Sequence, residues 1–392
     1  MTTPSARSGP SQGALAGLLT LTAINFLNYA DRYVVGGAQE LIKHDPGFLG
    51  GERGDDGALS DASLGFLTTA FVVVYMIASP FTGALGDRIK RKYLVAGGVL
   101  VWSLATIGSG LAPNYTWLLV ARGLIGVGEA GYATVAPSLM SDWFSKDWRG
   151  KVFGLFYVMM PLGAAAGFLI GGAVGQAYGW RSAFFVAGAP GLLLGLGSLL
   201  LKEPVRGAHD EPELQGERLS LLDTLVSLVR NRAYVVNTVG ITLMTFAVGG
   251  LAIFMPSFLV RSVGMSQAAA GTSFGAITAG AGIAGTLAGT WLGELAQKRM
   301  QNGYFLVSGV GLLAAVPFIL LTSAGLGVPL TLGAVFLALF FVLLNTAPLN
   351  TALVNCVPAT TRSMAVAVNI LAIHVLGDAI SPPIIGKISD AT

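Results

Sequence analysis

Runs of about 20 mostly apolar residues, each able to cross the roughly 30 Å hydrocarbon core of a bilayer as a helix, recur along the chain. They lie near 14–36, 62–85, 93–112, 116–140, 151–175, 181–201, 234–260, 267–294, 303–324, 328–356 and 363–386. Backbone polar groups in a bilayer must be satisfied internally, which leaves helical bundles and closed barrels as the available folds. The segments of about 10 alternating residues that mark a barrel are missing, so the predicted fold class is an all-α polytopic membrane protein. Charged residues make up only 11% of the chain, too few to clothe a soluble domain. Polar residues 1–12 lead straight into a run longer than a signal-peptide core, so no cleavable signal is expected.

Orientation follows the placement of Lys and Arg in short loops. With the N-terminus cytoplasmic, only Lys43, Arg53, Arg181, Arg261 and Lys387 fall on the far face, Arg32 and Arg122 fall inside spans, and every other basic residue falls on the near face. The net charge of +3 therefore reports topology, with the N-terminus predicted cytoplasmic, and does not point to nucleic acid. Cys356 has no partner for a disulfide, and His44, His209 and His374 are far apart. No catalytic set, metal site or organic cofactor is expected.

The longest polar stretch, "KEPVRGAHDEPELQGERLS", followed by the amphipathic "LLDTLVSLVRNR", divides the chain. The expected organisation is a bundle of six helices over 1–201, a cytoplasmic linker with an amphipathic helix over 202–233, and a bundle of five spans over 234–392. A faint repeat relates the two bundles. "MSDWFSKDWRGKVFG" and "NCVPATTRSMAVAVN" each end a polar turn in an Arg that opens the next helix, Arg149 and Arg362, which sets an offset of 213 residues. By that register the counterpart of the sixth span, a twelfth helix, is expected to be absent. Parallel repeats of six helices are a known transporter plan.

"GALGDRIKRK", residues 83–92, joins the second and third spans. Gly83 permits close helix approach, Asp87 can face a helix N-terminus, and Arg88 and Arg91 belong to the basic run. The stretch resembles the G-x-L-x-D-R-x-G-R-K signature of the major facilitator superfamily, with Lys90 in place of the second Gly. That resemblance implies two helical bundles, with Gly83, Asp87, Arg88 and Arg91 serving conformational switching.

Ionisable groups at membrane depth are costly and face the bundle interior or a water-filled cavity. Arg122 and Glu129 lie seven residues apart in the fourth span, on one helix face and roughly 10 Å apart along its axis. Asp31 and Arg32 lie in the first span. Depth allows Asp31 to meet Arg122, while Arg32, about 100° further round, can hold Glu129 or an anionic substrate. The four make a possible proton relay, since a desolvated carboxylate binds its proton more tightly and a neighbouring guanidinium loosens it. A structural salt bridge at Arg122, and a simple outer anchor at Asp31 and Arg32, remain as alternatives.

"NYADRYVVGG", "GALGDRIKRK" and Arg122 with Glu129 together resemble the spinster-like branch of the superfamily, most closely its bacterial members. Eukaryotic members of that branch carry sphingosine-1-phosphate and lysophospholipids. The resemblance implies proton-coupled transport of a lysolipid-like or other anionic amphipath by alternating access, with Asp31, Arg32, Arg122 and Glu129 at the site. It also implies a chain that works as a monomer among membrane lipids of a bacterial inner membrane. The same pattern is similar to that of proton symporters for sugar acids and carboxylates; a channel is a further alternative.

Weaker candidates remain. His374 and Asp378 sit at i, i+4, suited to a hydrogen bond. Asn25, Asn28, Tyr29, Tyr33, Asn345 and Asn350 are expected to line a cavity, with Phe71 and Tyr75 among the residues that could wall a lipid tail. "MMPLGAAAGFLIGG", 159–172, loosely resembles an exporter motif, and close packing with a bend accounts for it better.

Overall fold

The computed structural model describes residues 12–53, 57–210, 220–265 and 267–378. The chain runs through α1 (Ala14–Lys43), α2 (Asp61–Arg88), α3 (Arg91–Gly110), α4 (Tyr115–Ala133), α5 (Ala136–Trp143), α6 (Lys146–Leu169), α7 (Gly175–Tyr178) and α8 (Trp180–Ser198). It continues through α9 (Leu221–Arg230), α10 (Arg232–Arg261), α11 (Gln267–Gln297), α12 (Gly303–Thr322), α13 (Val328–Leu343), α14 (Thr346–Asn355) and α15 (Arg362–Ile373). Among the described residues, 8 stretches of helix are long and apolar enough to cross a membrane. At 30, 19 and 31 residues, α1, α8 and α11 also have the length, which completes the predicted spans. The last is described only to residue 378, so the expected absence of a twelfth helix lies outside the described residues.

Short polar side chains open several of these helices. Ser60, Asn114, Ser220 and Asn231 each accept a hydrogen bond from the backbone N–H three residues on, capping α2, α4, α9 and α10. Two predicted spans are interrupted. The fourth breaks at Thr134 and Val135, with Pro137 in the first turn of α5, and the tenth breaks at Leu344 and Asn345 before α14. The two breaks fall at nearly equivalent places under the 213-residue offset. A π-helical turn, Ile170–Val174, carries α6 into α7.

The chain forms two compact units. One comprises 1–145, 162–218 and 359–368; the other comprises 146–161, 219–358 and 369–392. In the first, α1, α2, α3, α4 and α8 pack together. Helix association in lipid relies on close backbone approach at small residues, and the glycines of α4 divide that work. A methyl added to Gly126 would lie 2.6 Å from the Phe71 carbonyl on α2, and one on Gly128 would lie 2.6 Å from the Gly98 carbonyl on α3. Gly163 and Gly167 on α6 and Gly171 in the π-helical turn abut the α1 carbonyls of Phe26, Ala30 and Val34, leaving no room for a side chain. The 159–172 stretch thus serves close packing, and it seats α1 along the length that carries Asp31 and Arg32. In the second unit, α11, α12 and α13 form the main stack, with Met255, Leu259, Phe274, Val335 and Leu339 in its core.

Candidate functional site

Four helices of the first unit bring the charged residues together. Arg32 on α1 donates from Nε to Glu129 Oε2 on α4 at 2.6 Å; the Arg side chain is 18% exposed and the Glu fully buried. The Arg32 guanidinium lies against three rings, 4.9 Å from the centroid of Tyr29 and 5.0 Å from those of Phe71 and Tyr75. Such cation–π contacts strengthen when desolvated. Phe71 and Tyr75, one helical turn apart on α2, stack on each other at 5.8 Å. Arg122 lies 5.2 Å from the Phe71 centroid, so the Phe71 ring is shared between the two guanidiniums.

Asp31 makes a different contact from the expected one. Its Oδ2 accepts a 2.6 Å hydrogen bond from Thr106 Oγ1 on α3, and no ion pair or hydrogen bond joins it to Arg122 among the described residues. The reason lies in the helix geometry: Asp31 and Arg32 are about 100° apart on α1, so turning Arg32 towards α4 turns Asp31 towards α3. Arg122 instead contacts the Leu67 carbonyl of α2 at 3.5 Å. Asp31 Oδ1, Glu129 Oε1 and Arg122 Nη1 are buried with no hydrogen-bond partner among the described residues. Buried polar atoms are usually paired, so this cluster holds spare capacity for a proton or an anion.

The other candidates are more dispersed. Asn28 lies beside Glu129 and Asn25 is buried, whereas Tyr33 is 39% exposed and packs on Phe168. Asn345 and Asn350 donate back to their own chain, to the carbonyls of Phe341 and Val342 and of Thr346, a local use of the amide. His374 opens a π-helical turn, His374–Asp378; the side chain of Asp378, and so the expected pairing, lies outside the described residues.

At the α2–α3 turn, Gly83 packs on Ala367, with the Ser363 carbonyl 2.9 Å from where a methyl would be. Asp87 accepts from the backbone N–H groups of Ser363 at 3.0 Å and Met364 at 2.9 Å, at the positive N-terminal end of α15. Arg88 is exposed. Arg91 is buried and donates to Asp142 at 2.6 Å, Ser138 at 2.7 Å and Glu203 at 3.0 Å. Asp142 also accepts from Arg362 at 2.9 Å, and Arg362 in turn donates to Asp210 at 2.6 Å. Arg206 donates to the Gly86 and Ile89 carbonyls that end α2.

Thr106, Asp142, Glu203, Arg206 and Asp210 are the residues that motif and depth missed. Thr106, a hydroxyl in an apolar run, carried no signal. Asp142 did: the 213-residue offset aligns it with Asn355, as it aligns Arg149 with Arg362. The bonds are reciprocal, Arg362 to Asp142 in one unit and Arg149 to Asn355 at 2.7 Å in the other.

Thr106→Val keeps the shape of the side chain and removes the donor to Asp31. Stranding a buried acceptor costs about 1–3 kcal/mol, so the variant is expected to melt lower than the unmodified protein in detergent. An unchanged midpoint would show that Asp31 does not depend on Thr106.

A family model described as Major Facilitator Superfamily matches residues 21–382. Protein spinster homolog 3 of Danio rerio is 34% identical over 409 aligned residues, covering 99% of this chain and 79% of that protein. Among solved structures, a bacterial homologue of the human lysosomal transporter spinster, inward-facing and unoccupied, aligns over 98% of this chain and 84% of its own. Its TM-score is 0.66 at 25% identity. The transporter FucP in its outward conformation aligns over 97% and 93%, with a TM-score of 0.74 at 19% identity, a likeness of fold.

Proposed function

This chain belongs to the Major Facilitator Superfamily as a spinster-type transporter, and from that premise we propose that it carries a single-chain amphipathic lipid with an anionic head group, coupled to protons. As a member of that family it is a multi-pass secondary transporter working by alternating access. Lysophospholipids and sphingosine-1-phosphate have the required chemistry.

The observation that carries the proposal is the position of Arg32, ion-paired to buried Glu129 inside the cage of Tyr29, Phe71 and Tyr75. Protonating Glu129 removes the charge that holds the guanidinium. Arg32, still seated against three rings, then takes the head-group anion, while the rings present apolar surface to the first part of the chain. Loss of the proton returns Arg32 to Glu129 and releases the anion. Asp31 shares or relays the proton with Glu129, and the guanidinium of Arg122, which stays charged, sets how tightly the two carboxylates hold it. The bias of basic residues orients the N-terminus to the cytoplasm of a bacterial inner membrane, where the protein works as a monomer.

Uptake of labelled single-chain phospholipids into proteoliposomes, with and without an imposed pH gradient, tests this. Each methylene removed from the lipid tail is expected to weaken apparent affinity about fourfold, the equivalent of about 0.8 kcal/mol. A chainless sugar acid or carboxylate that competes as well as the lipid would replace this function with organic-anion symport.

A further inference from the structure

A second surface of the molecule lies on α9. Taking 100° per residue, Leu222, Leu225, Val226 and Val229 form one apolar arc, with Thr224 and Leu228 on one side and Asp223, Ser227 and Arg230 on the other. Of the α9 residues, only Thr224 and Leu228 are buried. Leu222 and Val229 are each 73% exposed and Val226 is 47% exposed. The helix is thus wedged by one narrow edge and presents its apolar arc outward, which inverts the usual arrangement of a helix on a soluble surface.

Position and charge identify what covers that arc. One residue, Asn231, separates α9 from the membrane helix α10, and its side chain ties the junction down. The amide donates to the Cys356 carbonyl at 2.6 Å, and the amide oxygen accepts from the Tyr234 N–H at 3.1 Å. The apolar exposure continues along α10 through Val236, Val239 and Leu243, each more than half exposed. Arg230 borders the arc beside Val226, Arg232 follows within three residues, and both are exposed. Asp223 lies about 60° round the helix from Val226, on the polar side of the arc with Arg230 and Ser227.

We infer that α9 lies in the headgroup boundary of the leaflet where α10 begins, its Leu222, Val226 and Val229 stripe sunk among acyl chains and Arg230 and Arg232 holding anionic phospholipid. The geometry is that of an interfacial amphipathic helix, and basic residues beside a span favour anionic lipid. The inference uses none of the residues of the α1 to α4 site and does not depend on the substrate assigned there.

Cys356 is the sole cysteine, so Cys356→Ser gives a background for single labels. The full-length protein in vesicles of phosphatidylglycerol and phosphatidylcholine would carry spin labels in turn at 222, 223, 226, 227 and 229. Labels at 222, 226 and 229 are expected to be relaxed by oxygen and shielded from a water-soluble nickel complex, with 223 and 227 the reverse. Replacing both arginines (Arg230→Gln with Arg232→Gln), or omitting phosphatidylglycerol, is expected to shift the stripe towards nickel access. Equal nickel access at all five positions would overturn the inference, as would dipolar broadening that places a second copy on the arc. Depths that ignore both the lipid charge and the arginines would overturn its anionic part.

Discussion

Asp142→Ala is expected to destabilise the folded protein by about 3 kcal/mol, the lower end of the range for removing one partner of a buried ion pair. Asp142 is fully buried and serves two buried guanidiniums at once, Arg91 at 2.6 Å and Arg362 at 2.9 Å, and it also accepts from the Gly207 N–H at 3.0 Å. Each arginine keeps a second carboxylate, Glu203 or Asp210, which is why the expectation sits at the low end. Thermal unfolding in detergent, followed by the fraction that stays monodisperse, measures the effect. Asp142→Asn retains an acceptor oxygen without the charge and should fall between the two. Melting of the Ala variant alongside the unmodified protein would show that the two remaining carboxylates suffice.

Glu129→Gln is expected to abolish gradient-driven accumulation while leaving exchange of substrate across the membrane intact. Gln keeps the size of the side chain and an oxygen for Arg32, and it cannot carry the charge that, in the proposed cycle, competes with the head group for the guanidinium. Per coupled proton, a gradient of one pH unit supplies about 1.4 kcal/mol, enough for about tenfold accumulation at equilibrium. The unmodified protein should approach that ratio and the variant should stay near one. Counterflow of labelled against unlabelled lipid shows whether the variant still moves substrate. Full accumulation by the variant would take the coupling role from Glu129 and leave Asp31 to be tested in the same way.

Much of the membrane architecture was legible because hydrocarbon imposes a length and a polarity that a sequence cannot disguise. Asp87 at a helix N-terminus follows from the motif that carries it, although the Ser363 N–H it meets lies 276 residues further on; the spans and the exposed basic Arg88 follow from rules that act locally. The ionisable residues of α1 and α4 stood out for the same reason, since each is expensive at that depth. Pairing did not follow from depth. Counting along the spans puts Asp31 and Arg122 at a similar depth, yet the long Arg32 side chain reaches Glu129 and Asp31 meets Thr106 instead. Nor was the interruption after α4 visible from hydropathy, because Pro137 sits in an apolar run that reads as one continuous span. The role of the linker was equally hidden: Glu203, Arg206 and Asp210 read as ordinary surface charge, and their partners lie as far as 152 residues away in the chain.

The reciprocal arginines bear on how such a chain can be divided. A cut in the linker after residue 201 follows the repeat, but it does not follow the packing, because residues 359–368 group with the first unit and 146–161 with the second. The first fragment would keep Asp142 and Asp87 and lose Arg362 and the N-terminal turn of α15. The second would keep Asn355 and lose Arg149. Each fragment would thus carry vacant sockets fitted to the other, so the duplication recorded in the sequence has become a mutual dependence, and neither repeat retains the self-sufficiency of a module that could be transplanted alone.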